Sequence, residues 1–235
     1  MFKLNFFKKN KLLYWVYKIQ KIYKNKTPNF HYAEFAEDVM VNRIFKNYSD
    51  GFYLDIGAYH PIKGSLTYKL YKKGWKGMNL DISKTSIDLF DIARPKDKNI
   101  NCAIGNFSGD TFYYENSPIN QQNSLIKSNV TQKKVEIKSF LLEEILILNK
   151  IDKVDFINID TEGTELNIIN SINFEKINPI LFTIEENSFD TVNESRNAKI
   201  ELMKKNNYEL INVIGVTMFF IKADMVSKVS DLIRI

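Results

Sequence analysis

Two acids stand at the ends of two short apolar runs. Phe52-Tyr53-Leu54-Asp55-Ile56-Gly57-Ala58 carries a carboxylate with a glycine two residues on, and Gly77-Met78-Asn79-Leu80-Asp81 carries the second. Apolar runs of this length read as buried strands. On a doubly wound α/β sheet, ligands lie outside the carboxyl ends of the strands, and two acid-tipped strands separated by a helix are how such a sheet holds an adenosine-bearing cofactor. Asp55 and Asp81 are therefore expected to face one crevice. Two further runs end in acids: Val154–Asp160, followed by Glu162 and Gly163, and 180–185, which closes on Glu185 and Glu186. Carboxyls at those tips could take a proton, bind hydroxyls or hold a hard cation.

The elements that must position these acids follow from periodicity and breakers. Helices are expected over 33–47, 65–73 and 84–93, the last with Ser83 as N-cap and Pro95 as terminator. A third strand is expected over 99–104, with further strands at Thr111–Glu115 and Val135–Lys138. Helices follow over Phe140–Leu148, from Glu165 to Ser171, over 193–205 and over 224–234. Tyr208–Val213 and Val216–Ile221, joined through Gly215, read as a closing hairpin. Strict strand–helix alternation gives a parallel sheet, and the hairpin is expected to add one antiparallel strand at its edge. Residues 116–133 are polar and aperiodic, and a loop of that length is usually functional. Asn120, Gln121, Gln122, Asn123 and Ser124 offer donors and acceptors to a polyhydroxylated ligand, or simply to water.

Composition bounds the function. The 235 residues suit one domain with some decoration, at 44% apolar and 26% charged content. Cys102 is the single cysteine, which excludes an intrachain disulfide and a multi-cysteine metal site and fits a reducing compartment. The net charge of +5 is local: residues 1–26 hold eight lysines and no acid, leaving 25 basic and 28 acidic side chains in residues 27–235. A body of net negative charge argues against a nucleic-acid partner, whose phosphates demand basic surface. No segment reaches the roughly 18 uncharged apolar residues of a membrane span, and the apolar run 12–17 lacks a cleavage site, so a cytoplasmic protein is expected. Residues 1–30 are read as a basic amphipathic helix and 31–235 as the main domain. Leu12, Trp15, Val16, Ile19, Ile22 and Tyr23 share one helical face. That face is expected to pack on its own domain or on a second copy in a homo-oligomer. The alternative is an interfacial helix on anionic lipid, which would bring residues 1–26 to the inner face of the plasma membrane.

The run Phe52–Pro61, with Ser65-Leu66-Thr67-Tyr68 and Gly74–Asp81, resembles the first half of the FkbM-type methyltransferases. Ile157-Asn158-Ile159-Asp160-Thr161-Glu162-Gly163-Thr164-Glu165 resembles their second signature, and Ala36-Glu37-Asp38 a short acidic motif before the first strand. The resemblance covers about residues 32 to 222 and leaves 1–26 outside. It implies a Rossmann-like, class I methyltransferase sheet, mostly parallel with a C-terminal antiparallel hairpin and flanked by helices. It also implies S-adenosylmethionine as donor and a sugar, sugar-nucleotide or glycan hydroxyl as acceptor, in bacterial surface-polysaccharide assembly. An NAD-dependent oxidoreductase is disfavoured, because Gly57-Ala58-Tyr59 lacks the three-glycine fingerprint. A non-catalytic, or a small-molecule- or nucleic-acid-directed, member of the same fold is the remaining alternative.

Carried onto this chain, the resemblance places Asp55 at the methionine end of the donor, with Gly57 and Ala58 allowing close backbone approach and Glu37 nearby. Asp81 would accept ribose hydroxyls beside Ile82, or else only cap the next helix. Cys102 and Ala103 would border the adenine, although Cys102 also suits a small buried core position. Methyl transfer to a hydroxyl needs a proton acceptor. His60 is the leading base, with a structural hydrogen bond to its loop as the alternative. Asp160 could be the base, a substrate ligand or a metal ligand. Glu162, Glu185, Asn120 and Asn123 are candidate substrate ligands. Asp160 with Glu185 or Glu186 would suit Mg or Mn, although neighbouring strand residues point to opposite faces and cannot both enter one site.

Overall fold

The computed structural model describes residues 11–23, 31–127, 132–186 and 194–233. The outer parts of the expected N-terminal segment, residues 128–131 of the polar loop, and the terminal residues 193 and 234 of two expected helices lie outside that set.

A seven-stranded sheet organises the chain. β1 (Phe52–Ile56), β2 (Lys76–Asp81) and β3 (Lys98–Asn101) run parallel on one side of the sheet. A separate three-stranded sheet holds β4 (Ala103–Ile104), β5 (Gly109–Glu115) and β6 (Lys133–Phe140). β7 (Phe156–Ile159) and β8 (Leu181–Glu185) continue the main sheet beyond β1, and β9 (Tyr208–Ile214) and β10 (Thr217–Lys222) close it. The order is β3-β2-β1-β7-β8-β10-β9. The Rossmann-like, mostly parallel sheet with a C-terminal antiparallel hairpin is therefore present.

Two details differ from expectation. The reversed strand is not the edge strand: β10 inserts between β8 and β9 and pairs antiparallel with both. Its Met218, Phe219, Phe220 and Ile221 are all buried, so this strand needs cover on both faces. The expected third strand over 99–104 is two strands. Cys102 interrupts it, its N–H donating to the Asp81 carbonyl at 3.2 Å, and Ala103–Ile104 then pair with β6 in the small sheet.

Helices cover both faces: α1 (Lys11–Tyr23), α2 (Glu37–Ile44), α3 (Tyr68–Lys72), α4 (Lys84–Ala93), α5 (Leu142–Leu148), α6 (Glu165–Ser171), α7 (Glu194–Lys205) and α8 (Val226–Ile233). Strand alternation divides the core. Leu54, Ile56, Ile157, Ile159 and Ile184 pack with Leu142, Ile145, Ile168 and Met203 of α5, α6 and α7. Tyr53, Phe156, Leu181 and Phe219 pack with Val41, Ile44, Leu70 and Val229 on the other side. The helix expected over 33–47 begins only at Glu37. Ala36 is left-handed at φ 65°, and Glu37 Oε2 and Asp38 Oδ2 accept the backbone N–H groups of Phe35 and Tyr32 at 2.7 and 2.8 Å. These acids fold the incoming chain back before the helix can start.

One buried polar row crosses the second face of the sheet. Asn99, Asn79, Asp55, Asn158 and Thr183 are register partners on five adjacent strands. Asn158 Nδ2 donates to Asp55 Oδ1 at 2.9 Å, Thr183 Oγ1 to Asn158 Oδ1 at 2.7 Å, and Asn79 Nδ2 to Asn99 Oδ1 at 2.8 Å. Arg94, fully buried at the end of α4, covers this row. Its guanidinium donates to the Pro61 carbonyl, to Ser65 Oγ at 2.6 Å and to Thr67 Oγ1 at 2.7 Å. Thr67 Oγ1 in turn donates to Asp55 Oδ2 at 2.6 Å. Asp97 balances the guanidinium and accepts from Tyr53 Oη, Asn79 Nδ2 and the Gly77 N–H. Removing one member of a buried charge network strands the others. Arg94→Leu is accordingly expected to cost about 3–5 kcal/mol in urea unfolding, and Arg94→Lys to recover little of it, because an ammonium cannot reach three acceptors in a fixed fork.

Candidate active site

The carboxyl ends of β1, β2, β7 and β8 open into one cleft with about 1070 Å³ of empty space, part of it continuous with solvent. Asp55, Gly57, Ala58, Asp81, Ile82, Cys102, Ala103 and Glu37 all line it, as do Asp160, Glu162, Glu185, Asn120 and Asn123. Two candidates do not: His60 and Glu186.

The first side of the cleft is built from backbone and two acids. Gly57 has φ 78°, and a Cβ there would fall 1.6 Å from the Asp160 carbonyl oxygen, so the turns after β1 and β7 touch through the missing side chain. The Gly57 and Ala58 N–H groups both donate to the Leu80 carbonyl, at 2.9 and 3.1 Å. Asp55 has both oxygens engaged, by Thr67 and Asn158. Asp81 accepts the Tyr59 N–H at 2.8 Å and the Ser83 N–H at 2.7 Å, tying two loops to the tip of β2. Burial, with Asp55 nearby, pushes its carboxyl up to about 6 despite those bonds. Ser83 also caps α4, as expected, its Oγ accepting the Ser86 N–H at 3.2 Å. Burial pushes the Cys102 thiol up to about 12, so it serves as an inert small wall. Glu37 sits across the cleft, its carboxyl raised by burial, within 3.4 Å of Thr217 Oγ1.

The second side concentrates acid. Asp160, Glu162 and Glu185 offer oxygens that lie within 4.8 Å of one another. Burial raises Asp160 well above the usual carboxylate range, and the charge of Glu185 raises it further. Burial and the charges of Glu185 and Glu165 push Glu162 up to about 7. The turn that presents them is braced from below. Glu165 Oε1 accepts from the Thr161 N–H and Oγ1 at 3.0 Å and from the Gly163 N–H at 2.9 Å. Lys199 on α7 pairs with Glu165 Oε2 at 3.3 Å and donates to the Glu185 carbonyl at 2.7 Å. Sequence reasoning missed Lys199, which is 34 residues from Glu165 and carries no local signal. Glu165 was visible only as part of the motif.

Three candidates change role. His60 is a loop brace, not a base: its Nδ1 accepts the Ile62 and Lys63 N–H groups at 3.1 and 3.0 Å, and its other edge meets the Lys21 backbone. Burial pulls it down to about 4, so the ring stays neutral and occupied. Glu186 leaves the acid cluster by the alternation of the pleat and faces Lys199 at 3.5 Å, while Glu162 takes its place beside Asp160 and Glu185. Asn123 spends its amide on its own loop, accepting the Asn116 N–H and donating to the Ser117 carbonyl, both at 2.8 Å. Asn120 keeps its place on the wall, with Oδ1 accepting the Gln122 N–H at 2.8 Å. The polar loop is anchored over the acids, since Ser124 Oγ donates to the Glu162 carbonyl at 2.9 Å.

The raised carboxyls have a sign in stability. Below the ordinary value of 4.5 Glu162 is protonated in both states, and between there and about 7 only the folded state keeps the proton. The folded state therefore binds more protons in that window, and stability falls as pH rises through it. In chelator, the melting temperature is expected to decline from pH 5 to pH 8 (both values approximate), and Glu162→Gln to flatten the decline.

The chain matches the family model described as the methyltransferase FkbM domain over residues 55–210, more than half its length. No curated protein matches it at a significant level. Among solved structures, it is similar to a TehB-like SAM-dependent methyltransferase from Corynebacterium glutamicum, at 11% identity and a TM-score of 0.45, covering 88% of this chain and 96% of that one. It is also similar to precorrin-6y C5,15-methyltransferase from Geobacter metallireducens, at 9% identity and a TM-score of 0.46, covering 84% and 91%. A third is 1,6-didemethyltoxoflavin-N1-methyltransferase from Burkholderia thailandensis, at 10% identity and a TM-score of 0.42, covering 81% and 80%. The family match extends from Asp55 in β1 to β9 and takes in Asp55, Asp81, Asp160, Glu162 and Glu185 of the cleft, but not Glu37. The chain belongs to the FkbM methyltransferase family, whose reaction is methyl transfer from S-adenosylmethionine.

Proposed function

We propose that this enzyme methylates a hydroxyl oxygen of a sugar, presented as a nucleotide sugar or a glycan, in the assembly of a bacterial surface polysaccharide. The observation that carries the reading is the acid cluster of Asp160, Glu162 and Glu185 beside the Gly57 turn. An alcohol acceptor must lose a proton as its oxygen is methylated, and a carboxyl whose affinity for protons is raised is matched to taking it.

The donor fits the first wall by its chemistry. Asp81 offers oxygens to ribose hydroxyls, Ile82, Cys102, Ala103 and Leu125 offer a narrow apolar slot, and Asp55 and Glu37 offer carboxylates to an ammonium. When bound, S-adenosylmethionine supplies a sulfonium methyl that leaves as the sulfur becomes a neutral thioether. Asp55, locked by Thr67 and Asn158, fixes the donor's orientation at no further entropic cost. Asp160, entering the step as a carboxylate, receives the acceptor proton and becomes neutral, a change that the charge of Glu185 beside it favours. Glu162 and Asn120 hydrogen-bond neighbouring hydroxyls and hold the sugar in line.

A second reading rests on the same distances: three carboxyls this close suit a divalent cation such as Mg or Mn, which would bind a sugar diol and acidify it. The described residues contain no helix long and apolar enough to cross a membrane. A cytoplasmic site of action remains part of the proposal.

Two tests follow. S-adenosylhomocysteine is expected to bind about tenfold more weakly at pH 5 than at neutrality, because Asp81 takes up a proton near pH 6 and ceases to accept two hydroxyls at full strength. Asp81→Asn should remove that dependence in calorimetry. Methyl transfer to a panel of nucleotide-activated sugars and glycans should give product, and Asp160→Asn should lower kcat by about 10²- to 10⁴-fold while leaving S-adenosylhomocysteine affinity intact. Absence of product from every sugar would overturn the acceptor class. Turnover that ignores EDTA would overturn the cation reading.

A further inference from the structure

The apolar face of α1 points the wrong way for a packed helix. α1 meets the body along a tyrosine edge, with Tyr14 Oη donating to Asp88 Oδ2 of α4 at 3.1 Å. Lys18 and Lys21 lie over the rings of Tyr14 and Tyr17, at 4.8 and 5.5 Å from their centroids. Of the six residues expected to pack inward, only Ile22 is buried. Trp15 is 52% exposed and Val16 48% exposed, and Leu12 stands out beside them. The helix thus turns a large aromatic and branched aliphatics to the outside, where a monomeric soluble protein gains nothing from them.

We propose that this outward face of α1 is a docking surface for an anionic lipid bilayer. Charge selects that occupant. α1 holds Lys11, Lys18 and Lys21 and no acid, and the sequence on either side adds lysines at 3, 8, 9, 24 and 26, again with no acid. Lysines in and around the helix in sequence, with Trp15 and aliphatic side chains facing outward, match a negatively charged headgroup layer over an apolar interior. A second copy of the same surface would set lysine against lysine. Length agrees: thirteen residues of helix span roughly 20 Å, too short for a bilayer core of about 30 Å but suited to lying in its plane. The helix is also fastened to the enzyme's working end. His60, tied to the Lys21 backbone, sits in the loop that carries Tyr59 and Gly64 into the cleft wall. Docking through α1 therefore holds the cleft beside the surface, whatever acceptor it takes.

Full-length protein tested with vesicles decides the matter. It is expected to sediment with phosphatidylcholine vesicles containing about 30 mol% phosphatidylglycerol, to ignore pure phosphatidylcholine, and to bind about tenfold more weakly at 0.5 M salt. Trp15 emission should shift to the blue on binding, and the chain's other tryptophan, Trp75, is already buried and will not confound it. Trp15→Glu with Val16→Glu should reduce partitioning about tenfold or more, with S-adenosylhomocysteine affinity unchanged as evidence of an intact fold. No sedimentation at low salt, no blue shift in the unaltered protein, or undiminished binding of the double variant would overturn the proposal. So would a dimer, seen by sedimentation velocity, that the same double variant dissociates while vesicles are ignored.

Discussion

The carboxylate of Asp55 is the point on which the rest of the site hangs. It lies inside the sheet, where a charge without partners would be costly. Thr67 and Asn158 each donate to one of its oxygens, and each is held by another group: Thr67 by Arg94, Asn158 by Thr183. The network ties the centre of the sheet to the loop over Ser65–Thr67 and to the end of α4. An acid lining the cleft that could swing would offer many poses to a ligand, and here both of its oxygens are held. The cost is a polar row through a core that would otherwise be aliphatic, and Arg94 makes that row tolerable by donating hydrogen bonds to the Pro61 carbonyl, Ser65 and Thr67 above it.

The two walls of the cleft are rigid for different reasons. The wall around Gly57 and Asp81 is made by backbone proximity: Gly57 lets the β1 and β7 turns touch, and Asp81 staples two loops to β2. The wall around Asp160 is made by electrostatics. Three acids crowd at the tips of β7 and β8; Glu165 adds to their repulsion while its hydrogen bonds hold the turn, and Lys199 beneath it supplies the compensating positive charge. Glu162 holds a left-handed backbone at φ 56° and Gly163 follows at φ 111°. Such strain persists only when the surroundings enforce it, and the Glu165 bonds to Thr161 and Gly163 supply the enforcement. The fold thus tolerates local repulsion and local strain together at the turn after β7.

Pattern alone made much of this legible. The acid-tipped runs 52–56, 76–81 and 154–160 became adjacent parallel strands, because short apolar runs bounded by turns have few other ways to be buried. Asp55, Gly57, Asp81, Asp160 and Glu185 reached the cleft because they stand at strand ends, and strand ends on such a sheet converge. Local pattern could not say that 99–104 splits between two sheets, since a short run carries no record of its pairing partners. Nor could it place the reversed strand second from the edge, because a hairpin fixes the pairing of its own strands and not which of them meets the sheet.

Sequence by itself determined the strand ends, the glycine that permits close approach and the lysine-only N-terminal segment, because each is written within a few consecutive residues. Tertiary structure decided which polar side chains are spent and which are available. His60 looked like a base and Asn123 like a substrate ligand by type and position, yet their hydrogen bonds go to their own loops, while Glu186 leaves the acid cluster through the pleat and Glu162 joins it. It also decided that Lys199 braces the acids from far along the chain and that α1 packs by its tyrosines with its apolar face outward. Side-chain function at a site depends on which partners folding brings within about 3 Å, and that distance has no counterpart in sequence separation.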